Sequence, residues 1–312
     1  MNRSHLTSKS GIALLMTLFV LVMLSVIAMN FSFSTRWGIG ATRNFKEETQ
    51  AYYLALSGYQ EAAAYLLSDK DRTVDFIAED GNLYVDKETK PVAGKRVTDE
   101  AEVEIKITDE ESKININTLD ALRLKNLIEY VKVPADSRQE VVDSILDWID
   151  PDKEHHLMGA EDEYYESLDP PYKAKNNTID TVEELLLVKG FKPEYLYGSD
   201  EIRPLKDLIT TAGDGSININ TASREVMLIM GVSPEAIELI FKQRTKELGG
   251  SRLVPPGFYR TTSNNFRIDV TANMKGNKQA VRITSVVKRI PSAKGFDIQT
   301  IYWRESVESR RS

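Results

Sequence analysis

Residues 11–33 read Gly-Ile-Ala-Leu-Leu-Met-Thr-Leu-Phe-Val-Leu-Val-Met-Leu-Ser-Val-Ile-Ala-Met-Asn-Phe-Ser-Phe. From Ile12 to Met29 there is no charge, and the only hydroxyls are Thr17 and Ser25. At ~1.5 Å per residue a helix of that length reaches about 27 Å, close to the ~30 Å hydrocarbon core of a bilayer. Eleven of those eighteen residues are Leu, Ile, Val or Phe. At roughly −0.3 to −0.6 kcal/mol each they favour membrane entry by about 3 to 7 kcal/mol. The preceding ten residues carry Arg3 and Lys9 and no acid, which predicts a cytoplasmic N-terminus and an exported C-terminal body.

Three fates fit this stretch. A signal peptide would be cut at a small-x-small site, for which Val26-Ile27-Ala28 is a candidate. An uncut signal anchor would keep every residue. In the third, the chain is cut after Gly11, between the basic leader and the apolar run. That layout resembles the prepilin leader of type IV pilins and type II secretion pseudopilins. The resemblance implies cleavage by a prepilin peptidase and a mature, methylated end at Ile12. Pilins usually carry Glu as the fifth mature residue, and here that position is Met16. A carboxylate at that depth costs about 2.5–3.5 kcal/mol unless a neighbouring subunit pairs it. A subunit at a fibre tip has no neighbour above it, so Met16 points to a tip-type minor subunit.

The chain has 312 residues, a net charge of −7, no cysteine and three histidines, His5, His155 and His156. The acidic balance argues against a phosphate-binding surface, and no nucleic-acid partner is expected. The absence of cysteine removes disulfides, thiolate metal sites and a Cys nucleophile. A membrane-anchored hydrolase using acidic-loop carboxylates is a further reading, but nothing positions a nucleophile for it.

Beyond the span, Phe45, Tyr52, Leu56, Tyr59, Ala63 and Leu66 recur at three-, four- and seven-residue spacings, one helical stripe. One long helix to about Ser68 is expected, with a possible loosening at Gly38-Ile39-Gly40; a membrane helix linked to a separate soluble helix is the alternative. Leu83 to Val85 suggests a short strand. Val103, Ile105 and Ile107 alternate with Glu102, Glu104 and Lys106, a half-buried strand. Matching alternation returns only at Phe266–Ala272, Val281–Val287 and Phe296–Tyr302, with a hairpin turn over Lys275 to Lys278. The expected class is α+β, a pilin-like long N-terminal membrane helix packed on an antiparallel sheet. The parts are a leader at 1–11, a transmembrane helix at 12–35, an α/β body from 36–111 and 259–312, and an inserted all-α domain at 112–258.

The insertion holds a repeat. Lys113-Ile114-Asn115-Ile116-Asn117-Thr118 recurs as Ser216-Ile217-Asn218-Ile219-Asn220-Thr221, with a weaker copy at Thr178-Ile179-Asp180-Thr181. Each copy precedes a helix signal, where Asn, Asp or Thr can cap free N–H groups. Two helices end alike, at Gly190 before Pro193 and at Gly231 before Pro234. The pattern resembles helix-hairpin-helix modules of DNA-binding and competence proteins. Glu235 and Glu238 follow Gly231, however, and Val131-Lys132-Val133-Pro134 of the first copy has no Gly, so structural packing is the favoured role.

The densest chemistry is Asp147-Trp148-Ile149-Asp150-Pro151-Asp152, then Gly159-Ala160-Glu161-Asp162-Glu163-Tyr164-Tyr165. Eight carboxylates and one Lys fall between Asp147 and Glu166. Such a loop is either solvated or bridged by a cation, and close oxygen donors suit calcium. Asp150-x-Asp152 opens like an EF-hand, but the spacing to Gly159 and Glu161 does not continue it. Zinc at the adjacent His155 and His156 is disfavoured. These motifs, then Pro170-Pro171-Tyr172, Val182-Glu183-Glu184-Leu185 and Tyr302-Trp303-Arg304-Glu305, occur in the order that resembles K-type minor pseudopilins of type II secretion systems. The resemblance spans essentially the whole chain. It implies a calcium-binding helical insertion, a place at the pseudopilus tip with other minor pseudopilins, and contact with the inner-membrane secretion platform. It also implies a single pass of the bacterial inner membrane and a periplasmic body. The expected ligands are Asp150, Asp152, Glu161 and Asp162, with Asp147 and Glu163 in reserve. The alternative is a type IV pilus minor pilin with DNA contact through the repeats.

Overall fold

The computed structural model describes residues 8–277, 279–292 and 295–309. Leader residues 1–7 and Lys278 of the expected hairpin turn lie outside the described residues. Helix α1 runs unbroken over Ser8–Leu67, 60 residues, and neither Gly38 nor Gly40 interrupts it. It is the one described helix long and apolar enough to cross a membrane, with a mean hydropathy of 2.8 over its best window. Thr17 and Ser25 each donate back to a carbonyl of the preceding turn, Leu14 O and Leu21 O, at 2.8 Å, so neither hydroxyl is left without an acceptor.

The second half of α1 buries Ala51, Ala55, Ala62 and Leu66 against a sheet. Small residues let the two backbones approach. A Cβ on Gly58 would stand 2.8 Å from Val270 Cγ1 and 3.3 Å from Ile105 Cγ1. The strands β1 (Phe76–Ile77) and β2 (Leu83–Tyr84) pair with each other. Next come β3 (Gly94–Val97) and β4 (Ala101–Asp109). The chain then leaves the sheet for 155 residues, since the next sheet strand begins at Asn265.

The excursion contains β5 (Ile114–Asn115), α2 (Ala121–Tyr130), α3 (Ala135–Ile149), α4 (Asp162–Glu166) and α5 (Pro193–Tyr197). It continues through β6 (Ile209–Thr210), β7 (Ile217–Asn218), α6 (Arg224–Ile229), α7 (Pro234–Gln243) and β8 (Tyr259–Arg260). The sheet closes with β9 (Asn265–Met274), β10 (Gln279–Ser292) and β11 (Gly295–Ser309). Its antiparallel order is β11-β10-β9-β4-β3. The alternation read from sequence sets the register: Val103, Ile105 and Ile107 face Ala272, Val270 and Ile268. The sheet and the excursion carry separate apolar clusters, one around Phe266, Ile268 and Leu66, the other around Trp148, Tyr165 and Leu127.

Two features depart from the sequence reading. The excursion is not wholly helical, because β5 pairs in parallel with β6 and β7 with β8. Edge strand β3, Gly-Lys-Arg-Val, carries two charges and no apolar alternation, so periodicity gave no sign of it.

The repeat has one geometry in both copies. The Asn115 and Asn218 side chains accept from the N–H two residues on, at 3.0 and 2.9 Å. The second Asn of each copy then clamps a distant peptide with both ends of its amide. Asn117 donates to Ile179 O and accepts from Ile179 N, and Asn220 does the same with Ser251. The helix pairs also turn alike. Lys132 N donates to Glu129 O and Val133 N to Ile128 O, as Gly231 N does to Leu228 O and Val232 N to Met227 O. Gly231 has φ 93° and Lys132 has φ 67°, so a lysine holds the left-handed position that glycine favours.

The excursion is bolted to the sheet where β4 leaves it. Asp109, Glu110 and Glu111 are consecutive and buried. Asp109 accepts from Asn218, Thr221 and Ser263. Glu110 meets Arg267 and Thr210, and Glu111 meets Arg260 and Asn265. Beside them Arg289 is buried between Asp69 at 2.9 Å and Asp75 at 2.7 Å.

Candidate metal centre

Helix α3 presents Val141, Val142, Ile145 and Trp148 to the core, which leaves Asp143 and Asp147 one turn apart on a shared, buried face. The chain exits at Asp150, the helix C-cap, in extended conformation. The loop then folds back over the carboxylates. His156 N donates to Asp147 Oδ1 at 3.0 Å, His156 Nδ1 pairs with the same oxygen, and Met158 N donates to Asp143 Oδ2 at 3.1 Å. Gly159 is needed at the close approach, because a Cβ there would overlap the Asp147 carboxylate. Lys189 holds the loop from outside through the Met158 and Gly159 carbonyls. Beneath it Trp148, Tyr165 and Tyr172 form one aromatic cluster, with Trp148 donating to Glu184 at 2.9 Å.

One ligand atom each from Asp147, Asp150 and His156 can be chosen so that all lie within 4.8 Å of one another. Of the four residues expected from sequence, Asp150 belongs to this tightest group. Asp152 is exposed and accepts from Glu154 N at 2.8 Å. Glu161 is buried, and neither carboxylate oxygen has a hydrogen-bond partner. Asp162 is half-buried, accepts from Ala174 N at 3.1 Å and pairs with Lys153 at 3.4 Å. Of the reserves, Asp147 sits at the centre and Glu163 points to solvent.

His156 and Asn176 escaped the sequence reading. The sequence offers His156 only as half of a disfavoured zinc pair with His155, whereas the structure ties its ring to Asp147. Asn176 stands at φ 46°, donates to Asp152 O at 2.9 Å and leaves its own buried Oδ1 without a donor. Its place in the sequence, 24 residues beyond Asp152, carried no spacing signal.

The electrostatics describe a site short of positive charge. Burial, then the charges of Asp152 and Asp147, raises the Asp150 carboxyl above its ordinary range. Glu161 is raised by burial and by Asp147, Asp150 and Asp162, with the neighbouring Asn176 amide opposing the shift. His156 is raised by its bond to Asp147. Buried polar atoms are almost always partnered. Here Asp150 Oδ1, both Glu161 oxygens and Asn176 Oδ1 are not. A hard divalent cation taking six to eight oxygens fits that donor set.

The family model for "Type II secretion system (T2SS), protein K" matches residues 106–198, which enclose this loop. The chain is 26% identical over 250 residues to type II secretion system protein K of Pseudomonas aeruginosa, covering 77% of this chain and 73% of that one. It is 26% identical over 202 residues to the Aeromonas hydrophila protein of that name, covering 58% and 59%. The Klebsiella pneumoniae protein is 27% identical over 194 residues, covering 58% and 57%. Among solved structures, a chain of the GspK-GspI-GspJ complex from enterotoxigenic Escherichia coli superposes with a TM-score of 0.61 at 16% identity. The superposition covers 85% of this chain and 99% of that one.

Proposed function

We infer that this chain, a K-type minor pseudopilin of type II secretion, caps the tip of the pseudopilus and supports protein export across the outer membrane. The observation that carries the reading is the protein K family match over 106–198, on a chain that also has the long apolar α1. Its partners are other minor pseudopilins, in keeping with the structural neighbour's description as a three-component complex. Prepilin peptidase cuts after Gly11, Ile12 becomes the methylated end, and the inner-membrane platform receives the helix. The body, 36–111 with 259–312, stands in the periplasm. The insertion, 112–258, is too bulky to be covered by a further subunit.

The role is structural rather than enzymatic. Calcium held by Asp150, Asp152, Glu161 and Asp162, with Asp147 beside them, would neutralise the carboxylates and tie the end of α3 to the start of α4. Asp147 is already engaged by His156, so Asp150 and Glu161 supply the free oxygens. The helix-hairpin-helix-like turns serve packing. The acids of α7 support this over DNA contact, since Glu238 faces Arg224 in an ion pair.

Intact mass and N-terminal sequencing of the protein from bacterial membranes tests the reading. A methylated start at Ile12 is expected. A start near Met29, or an intact Met1, would overturn it.

A further inference from the structure

The two edges of the sheet are guarded differently. β3 is four residues long, follows Pro91, and ties both its cations, Lys95 to Glu102 and Arg96 to Glu61. Short, charged, proline-flanked edges discourage another strand from adding. β11 runs for 15 residues without proline or lysine and pairs on one side with β10, with a single bulge at Ile301. Its other side has no backbone partner among the described residues.

Large apolar side chains stand exposed on it among the charges of Arg304, Glu305 and Glu308. Ile301, Trp303 and Val307 are exposed by 55%, 38% and 48%. Trp303 and Val307 continue a stripe of α1, whereas Ile301, the extra residue at the bulge, lies on the other face with Tyr302 and Arg304. Trp303 lies edge-on to Tyr59 at 4.8 Å, and Tyr52 donates to Glu305 at 3.3 Å. Phe45, Tyr52 and Tyr59 are spaced by sevens and so share one face of the helix. Phe45, nearest the membrane, is 72% exposed. On the opposite face of β11, Arg304 has no ion-pair partner among the described residues.

We propose that β11 receives an extended strand from another minor pseudopilin, which becomes the sixth strand of this sheet. This deepens the function proposed above and rests on it. A subunit whose own membrane helix lies along α1 stands beside the Phe45–Tyr59 stripe, and that stripe leads onto the open edge. Main-chain hydrogen bonds supply the affinity in strand addition, and alternate side chains supply the specificity. The fitting strand presents apolar residues on the α1 side, against Trp303 and Val307, and an acid on the other side, against Arg304.

The test uses the full chain in membranes of bacteria with an intact secretion system. A benzophenone amino acid is placed at Ile301 or, as the opposite-edge control, at Val97 of β3. After irradiation, adducts are identified by mass spectrometry. Ile301 is expected to give an adduct with one minor pseudopilin, in at least about tenfold higher yield than Val97. Equal yields, or adducts from Ile301 to lipid or secreted protein alone, overturn the proposal. Ile301→Pro, which sets a proline in the edge strand, is expected to cut recovery of that pseudopilin with the chain by about tenfold. If the variant does not fold, the photochemical comparison decides alone. If the unaltered chain recovers minor pseudopilins but Ile301 gives no adduct, strand addition falls and the function stands. If it recovers none, both fall.

Discussion

Glu110 Oε1 and Arg267 Nε lie 2.7 Å apart, with the carboxylate almost wholly buried where the insertion leaves the sheet. Glu110 sits at the end of β4 and Arg267 on β9, so the bond spans the root of the excursion. Lys113 and Arg267 outweigh burial and hold the Glu110 carboxyl below its ordinary range. Removing the acid leaves both cations and Thr210 without it. Glu110→Ala is expected to destabilise the chain by about 2–4 kcal/mol in urea unfolding. Arg267→Ala should cost about as much, because it leaves Lys113, at 3.7 Å, as the buried carboxylate's remaining cation.

Asp109, next door, behaves oppositely with pH. Burial and then Glu111 push its carboxyl up to about 7. The folded chain therefore keeps a proton that the unfolded chain releases near the ordinary value of about 4. Asp109 thus makes stability fall as pH rises from about 4 to about 7. Asp109→Asn is expected to flatten that part of a stability–pH curve measured by thermal unfolding. An unchanged slope would count against the assignment.

Calcium is expected to raise the unfolding midpoint and a chelator to lower it again. At about a hundredfold excess over its dissociation constant the gain is about 2.7 kcal/mol. Asp150→Asn and Glu161→Gln should each abolish the response. Because both carboxyls are raised, protons compete with the metal and binding weakens as pH falls. Calorimetry at two pH values checks this; no heat at millimolar calcium would remove the metal from the site.

The two helix turns make a matched pair. Lys132→Gly is expected to stabilise by up to about 1 kcal/mol, since it relieves a side chain at positive φ. Gly231→Ala should destabilise by about 1–2 kcal/mol by introducing that strain. Thermal unfolding of both variants reads the difference.

The legibility of these features follows their range along the chain. Helix α1 and strands β4, β9 and β10 were readable because hydropathy and alternation act between near neighbours. The repeat was readable because it is written twice, although its missing glycine hid the first turn, where Lys132 takes the same backbone. Asp109-Glu110-Glu111 carries no local signal, since its partners Thr210, Arg260, Ser263 and Arg267 lie 100 residues or more away. At the metal centre, crowded acids were visible, and Asp150 and Glu161 emerged with orphaned oxygens. His156 and Asn176 were not, because their places depend on how the loop folds back over α3.

Helix α1 joins an exposed apolar half and a sheet-facing half with no break between them. A pull on the apolar end is therefore delivered to Gly58 and the strands beneath it without a compliant joint. Any torque on the rod turns the sheet by the same angle. Under the proposed function, extraction from the bilayer and advance of the tip would be one mechanical stroke, with α1 as its piston.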